Sequence, residues 1–131
     1  ARAGVGCVAD SQCTPLGLHR VAEKIGEGAP KGMVFKARQP TGRIWTEGPA
    51  PEDNLITSRI LWLEGLEPGQ NRGQDAAGQL VDTKARFVYI HGTNQAERLG
   101  TPNSHGCVLL SDDDVVDLFA RVPVGTPVYL R

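Results

Sequence analysis

Ser104, His105, Gly106 and Cys107 stand side by side, and His91-Gly92 lies a short interval upstream. A thiol reacts as its thiolate, so a nucleophilic cysteine needs a neighbouring base or cation. His91 and His105 are the candidate bases. His105 precedes Cys107 by two positions, and in an extended chain residues i and i+2 share a face. His91 closes the apolar run ARFVYIH, which puts it at a strand tip, where catalytic groups are often carried. Gly106 removes a side chain beside the thiol, so a substrate carbonyl can approach the backbone. The amides around Gly106 and Cys107 are then candidates for an oxyanion hole. Two blander readings stay open. Cys107 can be a structural thiol beside satisfied histidines. Alternatively, His91, His105 and Cys107 can be three zinc ligands, although the paired-cysteine spacing usual at such sites is missing.

The segments that must position these residues are read from pattern. Residues 18–25, 32–38, 55–65, 85–92 and 126–131 are rich in Val, Ile, Phe, Tyr and Trp and are bounded by Gly and Pro, which predicts strands. Residues 48–54 form a turn cluster and residues 67–82 a long polar loop. Loops of that length are usually functional or disordered. A lid or docking surface therefore stands beside a solvated connector as its reading. The run ARFVYIH spans roughly 20–23 Å at ~3.3 Å per residue. On that reading the loop lies far from a nucleophile placed near His91. One helix is marked over about 111–122. Ser111 is an N-cap with Asp114 at the capping-box spacing, and Asp112, Asp113 and Asp114 suit the positive end of the helix dipole. Val115, Val116, Leu118, Phe119 and Val122 give an apolar face, and Pro123 stops the helix. Capping is sufficient to explain the three aspartates without a metal. The fold class expected is mostly β, a β-sandwich or barrel-like mixed sheet with one clear α-helix, in a single domain over residues 1–131.

Composition excludes several classes. The chain of 131 residues is 40% apolar and 22% charged with a net charge of −1, and it has no basic block or acidic tail. Nucleic acid and anionic membrane surfaces are therefore not expected as main partners. No apolar run reaches the ~18 residues of a membrane span. The opening ARAGVG is no signal peptide, as in a mature or trimmed form. Cys7 and Cys13 either pair in an oxidising compartment, leaving Cys107 as a free thiol, or all three remain reduced.

The segments YIHGTN (89–94) and LGTPNSHGCVLLS (99–111) together resemble the signature of the L,D-transpeptidase catalytic domain, a family of bacterial cell-wall enzymes with a cysteine nucleophile. Ser104, His105, Gly106 and Cys107 match its Ser/Thr-His-Gly-Cys pattern, and His91 and Gly92 match its upstream His-Gly pair. TPLGLHRV (14–21) is similar to the family's Thr-Pro strand start, and DVVDLFARVPVGTPVYL (114–130) to its helix and last strand. Two departures are visible. Leu109 stands where the family often has arginine or asparagine, which points to Arg59 or Arg98 as substitute polar contacts with Ser104. About two strands usually precede the Thr-Pro segment, whereas 13 residues precede Thr14 here. The chain is then either trimmed or has a more open sheet edge, where pairing with a partner would cover unpaired strand groups.

The resemblance implies acyl transfer on peptidoglycan stem peptides in the cell envelope, periplasmic or extracytoplasmic, with no metal or organic cofactor. Cys107 attacks the carbonyl on the L-centre of a diamino acid, with His91 as general base and the Gly92 carbonyl as its orienter. His105 packs beside the nucleophile and shapes its turn. A D-amino acid leaves, and an acceptor amine resolves the thioester into a 3→3 cross-link. The same chemistry with water gives an L,D-carboxypeptidase. Lipoprotein attachment and hydrolysis of existing links use the same site. The resemblance also implies reaction with carbapenems, which a non-catalytic peptidoglycan-binding module would lack. His19 matches no motif and reads as a surface or strand histidine.

Overall fold

The strand Ile56–Gly65, β4, is the centre of the sheet, and its sequence explains why. ITSRILWLEG has a continuous apolar run at Ile60–Leu63 and buries residues on both faces, as suits a strand covered on both sides. In the computed structural model, which describes residues 3–6, 8–46, 55–101, 104 and 106–131, this strand pairs along one edge with β5 (Tyr89–Thr93). Its other edge is shared. The end holding Ile60–Gly65 pairs with β1 (Gly17–Ile25), and the end holding Ile56 and Thr57 pairs with β2 (Met33–Lys36). β3 (Gln39–Ile44) extends the sheet beyond β2, and β7 (Pro127–Leu130) extends it beyond β1. All these pairings are antiparallel. The exception is β6 (Val108–Leu110), which lies parallel to β5 with Ile90 opposite Val108 and His91 opposite Leu109. The protein is thus mostly β, and among the described residues it has one α-helix, α1 (Asp112–Arg121).

The alternation of side chains along β4 divides the core in two. Leu61 and Leu63 point to one face, where with Val21 and Ile90 they lie under Val115 and Phe119 of α1. Ile60 points to the other face, to Phe35 and Tyr89, with Trp62 and Cys107 packed at the margin. Truncating a buried leucine at 61 or 63 to alanine would cost about 2–5 kcal/mol. The helix begins as its sequence dictates. Ser111 is extended, and its Oγ accepts from the Asp114 amide at 3.1 Å. None of the helices among the described residues is long and apolar enough to cross a membrane.

Two departures from the sequence reading matter. β3 was not expected, because QPTGRI is exposed throughout and carries no apolar alternation. It forms because Ala37 and Arg38 both take positive φ, 48° and 65°, as a two-residue hairpin turn of the primed type requires. The turn cluster at 48–54 lies outside the described residues. The predicted strand 85–92 begins only at Tyr89. Before it, Arg86 N donates to Asp82 O, Phe87 N donates to Lys84 O, and Phe87 has φ 56°.

The long loop before that turn is internally bonded. Gly73 N donates to Asp82 Oδ2, Val81 N to Gly73 O, and Thr83 N to Asn71 O. Asn71, Val81 and Thr83 are buried. Because Cys107 lies opposite the start of β5, not its end, the chain leaving this loop passes directly beside Cys107. The separation of roughly 20 Å inferred from a seven-residue strand at ~3.3 Å per residue therefore does not arise.

Candidate active site

β5 and β6 bring the site together through their parallel register. Tyr89 and His91 share a face of β5, the face opposite the helix, since Ile90 between them belongs to the core under α1. Cys107 sits one residue ahead of β6 and packs with Tyr89 on that same face. The register makes Cys107 and His91 diagonal neighbours, two residues apart along the strands at ~3.3 Å each.

His91 is buried, 4% exposed, and its Nδ1 lies 2.6 Å from the Gly92 carbonyl oxygen. A carbonyl can only accept, so Nδ1 carries the proton and Nε2 keeps its lone pair. Burial lowers the imidazole pKa to about 4, against the opposing pull of the Gly92 hydrogen bond. His91 is therefore a neutral acceptor at neutral pH. The Cys107 thiol is pushed up from its ordinary value by burial, and the Tyr89 amide and the Arg86 charge pull the other way. The Tyr89 amide donates to Sγ at 3.3 Å, and Sγ donates to the Phe87 carbonyl at 3.6 Å. At rest the pair is thiol and imidazole, not thiolate and imidazolium.

The turn ahead of Cys107 is held by Ser104. Its Oγ donates to the Cys107 carbonyl at 2.6 Å and accepts from the Gly106 amide at 3.3 Å. That Gly106 N–H is engaged inside the turn. Gly106 has φ 129°, a conformation that favours glycine. A Cβ there would lie 3.2 Å from the Cys13 carbonyl oxygen. His105, whose expected role is to shape this turn, lies outside the described residues.

A cavity of about 220 Å³ opens beside Cys107, lined by Thr14, Arg98, Thr101, Ser104, Cys107 and Leu109 among others. Arg98 ends a single 3-10 turn, Ala96–Arg98, and so shares this cavity with the thiol. Arg59 does not line it. The Arg59 guanidinium donates to the carbonyls of Ala29 and Ser58 and lies over the Phe119 ring. Sequence reasoning missed Arg86. Its guanidinium donates to the carbonyls of Cys13 and Gly6 at 2.7 and 3.3 Å and thereby ties the amino-terminal segment against the Gly106 turn. No motif marks Arg86, because its reach depends on the turn at 82–87.

Cys13 is a free thiol, and Cys7 lies outside the described residues. His19 is fully buried, bonded to Gly17 O and Thr83 Oγ1 at 2.9 Å each, and is a structural strand histidine. Among the described residues no group of three or more His, Cys, Asp or Glu could hold a metal. The zinc alternative also needed His105.

The chain is similar to known proteins of one family. The family model described as the L,D-transpeptidase catalytic domain matches residues 1–130. Among similar proteins, a putative L,D-transpeptidase, YqjB, of Bacillus subtilis is 36% identical over 119 residues, covering 87% of this chain and 58% of that protein. A probable L,D-transpeptidase, YbiS, of Escherichia coli K12 is 51% identical over 116 residues, covering 87% of this chain and 35% of that protein. A second E. coli K12 relative, the probable L,D-transpeptidase ErfK/SrfK, is 47% identical over 117 residues, with 88% and 36% covered. The chain thus spans between about a third and somewhat over half of the length of these relatives.

Proposed function

This chain belongs to the L,D-transpeptidase catalytic-domain family, and from that premise we propose that it performs cysteine-dependent acyl transfer on peptidoglycan stem peptides in the cell envelope. The observation that supports the proposal is the placement of Cys107 and His91 on one sheet face, with the imidazole tautomer fixed by the Gly92 carbonyl.

Attack begins from the neutral pair. Sγ approaches the donor carbonyl on the L-centre of a diamino acid, and Nε2 of His91 takes the thiol proton as the S–C bond forms. A general base of this kind contributes typically ~10²–10⁴-fold. The low basicity of a buried imidazole means that proton transfer accompanies attack and does not precede it. The developing oxyanion faces the backbone of the Gly106–Cys107 turn. With the Gly106 amide engaged by Ser104, the Cys107 amide is the better-suited donor. The C–N bond then breaks, His91 returns the proton to the departing amine, and a D-amino acid leaves. An acceptor amine attacks the thioester, giving a 3→3 cross-link and restoring the thiol.

Arg98 offers the positive charge in the cavity beside Cys107 and is the substrate-binding residue of this reading, where Leu109 provides only an apolar wall. Ser104 acts by holding the turn. Incubation with a tetrapeptide-stem muropeptide tests the reading by product mass. Cross-linked dimers support transfer, and tripeptides mean that water is the acceptor. An unchanged substrate, together with no labelling of Cys107 by a carbapenem, would make the domain a binding module and end the proposal.

A further inference from the structure

A bulge in the central strand sits directly behind the proposed base. The pairing of β4 with β5 slips between Thr57 and Ile60, and at Ser58 the backbone turns left-handed with φ 68°. Neighbouring residues of a regular strand point to opposite faces. Here the bulge turns the hydroxyls of Thr57 and Ser58 onto one acceptor, Oδ1 of Asp112, at 2.6 and 2.5 Å. Ser58 Oγ also accepts from the Gly32 amide at 2.9 Å. Thr57 and Ser58 are both fully buried. Bulges concentrate next to active sites, where they re-aim side chains, and a strained non-glycine φ persists only where its surroundings enforce it.

What this cluster touches is Gly92. Gly92 pairs with Thr57 across the strands. A Cβ on Gly92 would collide with the Thr57 carbonyl oxygen and would lie 2.7 Å from Asp112 Oδ1 and 2.9 Å from Thr57 Oγ1. The Gly92 backbone is therefore clamped between the bulge and the first residue of α1. Its carbonyl is the one that accepts from His91 Nδ1.

We infer that Asp112, with the Thr57 and Ser58 hydroxyls, is a positioning group for the base: it fixes the Gly92 peptide so that its carbonyl holds His91 in the Nδ1–H tautomer with Nε2 towards Cys107. The inference rests on the proposed role of His91. Asp112 does two jobs at once, seating the start of α1 on the sheet and setting the plane of the peptide that orients the imidazole. The sequence hides this, because Asp112 stands in a run of three aspartates that all suit a helix start. Displacing a reacting group by about 1 Å can cost ~10²-fold in rate, so a loosened Gly92 carbonyl has a measurable consequence.

The test uses two matched pairs, Thr57→Val against Thr57→Ser and Asp112→Ala against Asp112→Asn. The first member of each pair removes the hydrogen bond and the second keeps a hydroxyl or an acceptor oxygen. Two readouts are taken on the whole protein: the ¹⁵N-resolved Nδ1–H resonance of His91, and the rate of Cys107 acylation by a carbapenem-type β-lactam. In Thr57→Val and Asp112→Ala the resonance should shift or broaden by exchange with water, and acylation should fall roughly 10- to 100-fold. Thr57→Ser and Asp112→Asn should restore both. Thr57→Val is nearly isosteric, so it keeps the test open if Asp112→Ala does not fold. A His91 resonance unmoved in a folded Thr57→Val protein overturns the inference, even if the rate falls. If His91→Ala itself leaves acylation unchanged, the assignment of the base fails, while the resonance still decides whether the clamp holds the imidazole.

Discussion

Acidification should strike this fold through His91. An unfolded histidine titrates near 6.5, whereas burial holds His91 at about 4. Above about pH 6.5 both states are neutral and no penalty arises. As the pH falls, the unfolded chain binds a proton that the native imidazole refuses, so stability is lost between about pH 6.5 and pH 4. At about pH 4.5 the gap gives a loss of about 2–3 kcal/mol at ~1.4 kcal/mol per unit. That is a large share of the ~5–15 kcal/mol by which domains are stable. Urea unfolding of the wild type and of His91→Gln at about pH 7 and about pH 4.5 isolates the effect, since His19 and the carboxylates are common to both. The wild type should lose about 2 kcal/mol more than the variant. Equal losses in the two proteins would refute the claim that His91 is held neutral by burial.

Alkylation of Cys107 by iodoacetamide should climb steadily into the alkaline range, with no plateau near neutrality, because the resting thiol lies above its ordinary value; a plateau below about pH 6 would mean a preformed ion pair. Arg86→Gln should move that profile further towards alkaline pH, since the guanidinium favours the thiolate, and Arg86→Lys should move it less. Ser111→Ala should cost about 1 kcal/mol in urea unfolding by removing the cap on α1, with little change in acylation rate. Gly92→Ala should fold poorly or lose acylation, because its Cβ has no room against Thr57 and Asp112; a well-folded, fully active variant would show that the clamp is loose.

The parts of the fold that were legible in sequence are those where one local pattern sufficed. α1 could be read from its cap and apolar face, β4 from its Ile-Leu-Trp-Leu run, and β1 from the stretch after Gly17 that holds Val21 and Ile25. β3 could not, since its six residues are all exposed and its turn uses Ala37 and Arg38 in place of the usual Asn-Gly. The run at 85–88 looked like strand because Phe87 and Val88 are apolar. The Asp82 carboxylate, accepting from the Ala85 and Gly73 amides, bends it into a turn instead.

At the site, the pair of Cys107 and His91 was visible as a motif, but its electrostatics were not. Burial of His91 depends on β4 and the packing around it. Arg59 looked as available as Arg98. The bulge at Ser58 sends it to the Ala29 carbonyl and Phe119, while a single 3-10 turn leaves Arg98 beside the thiol. Neither outcome can be read from residue type.

The central claim is a thioester on Cys107. Intact-protein mass spectrometry of the domain quenched in acid after brief mixing with a tetrapeptide-stem donor, followed by peptide mapping, addresses it directly. The account predicts a mass increase equal to the donor minus its terminal D-amino acid, mapped to the peptide containing Cys107. The adduct should be absent in Cys107→Ala and should be discharged when an acceptor amine is added. An adduct on another residue, or product formation by Cys107→Ala at the wild-type rate, would contradict it.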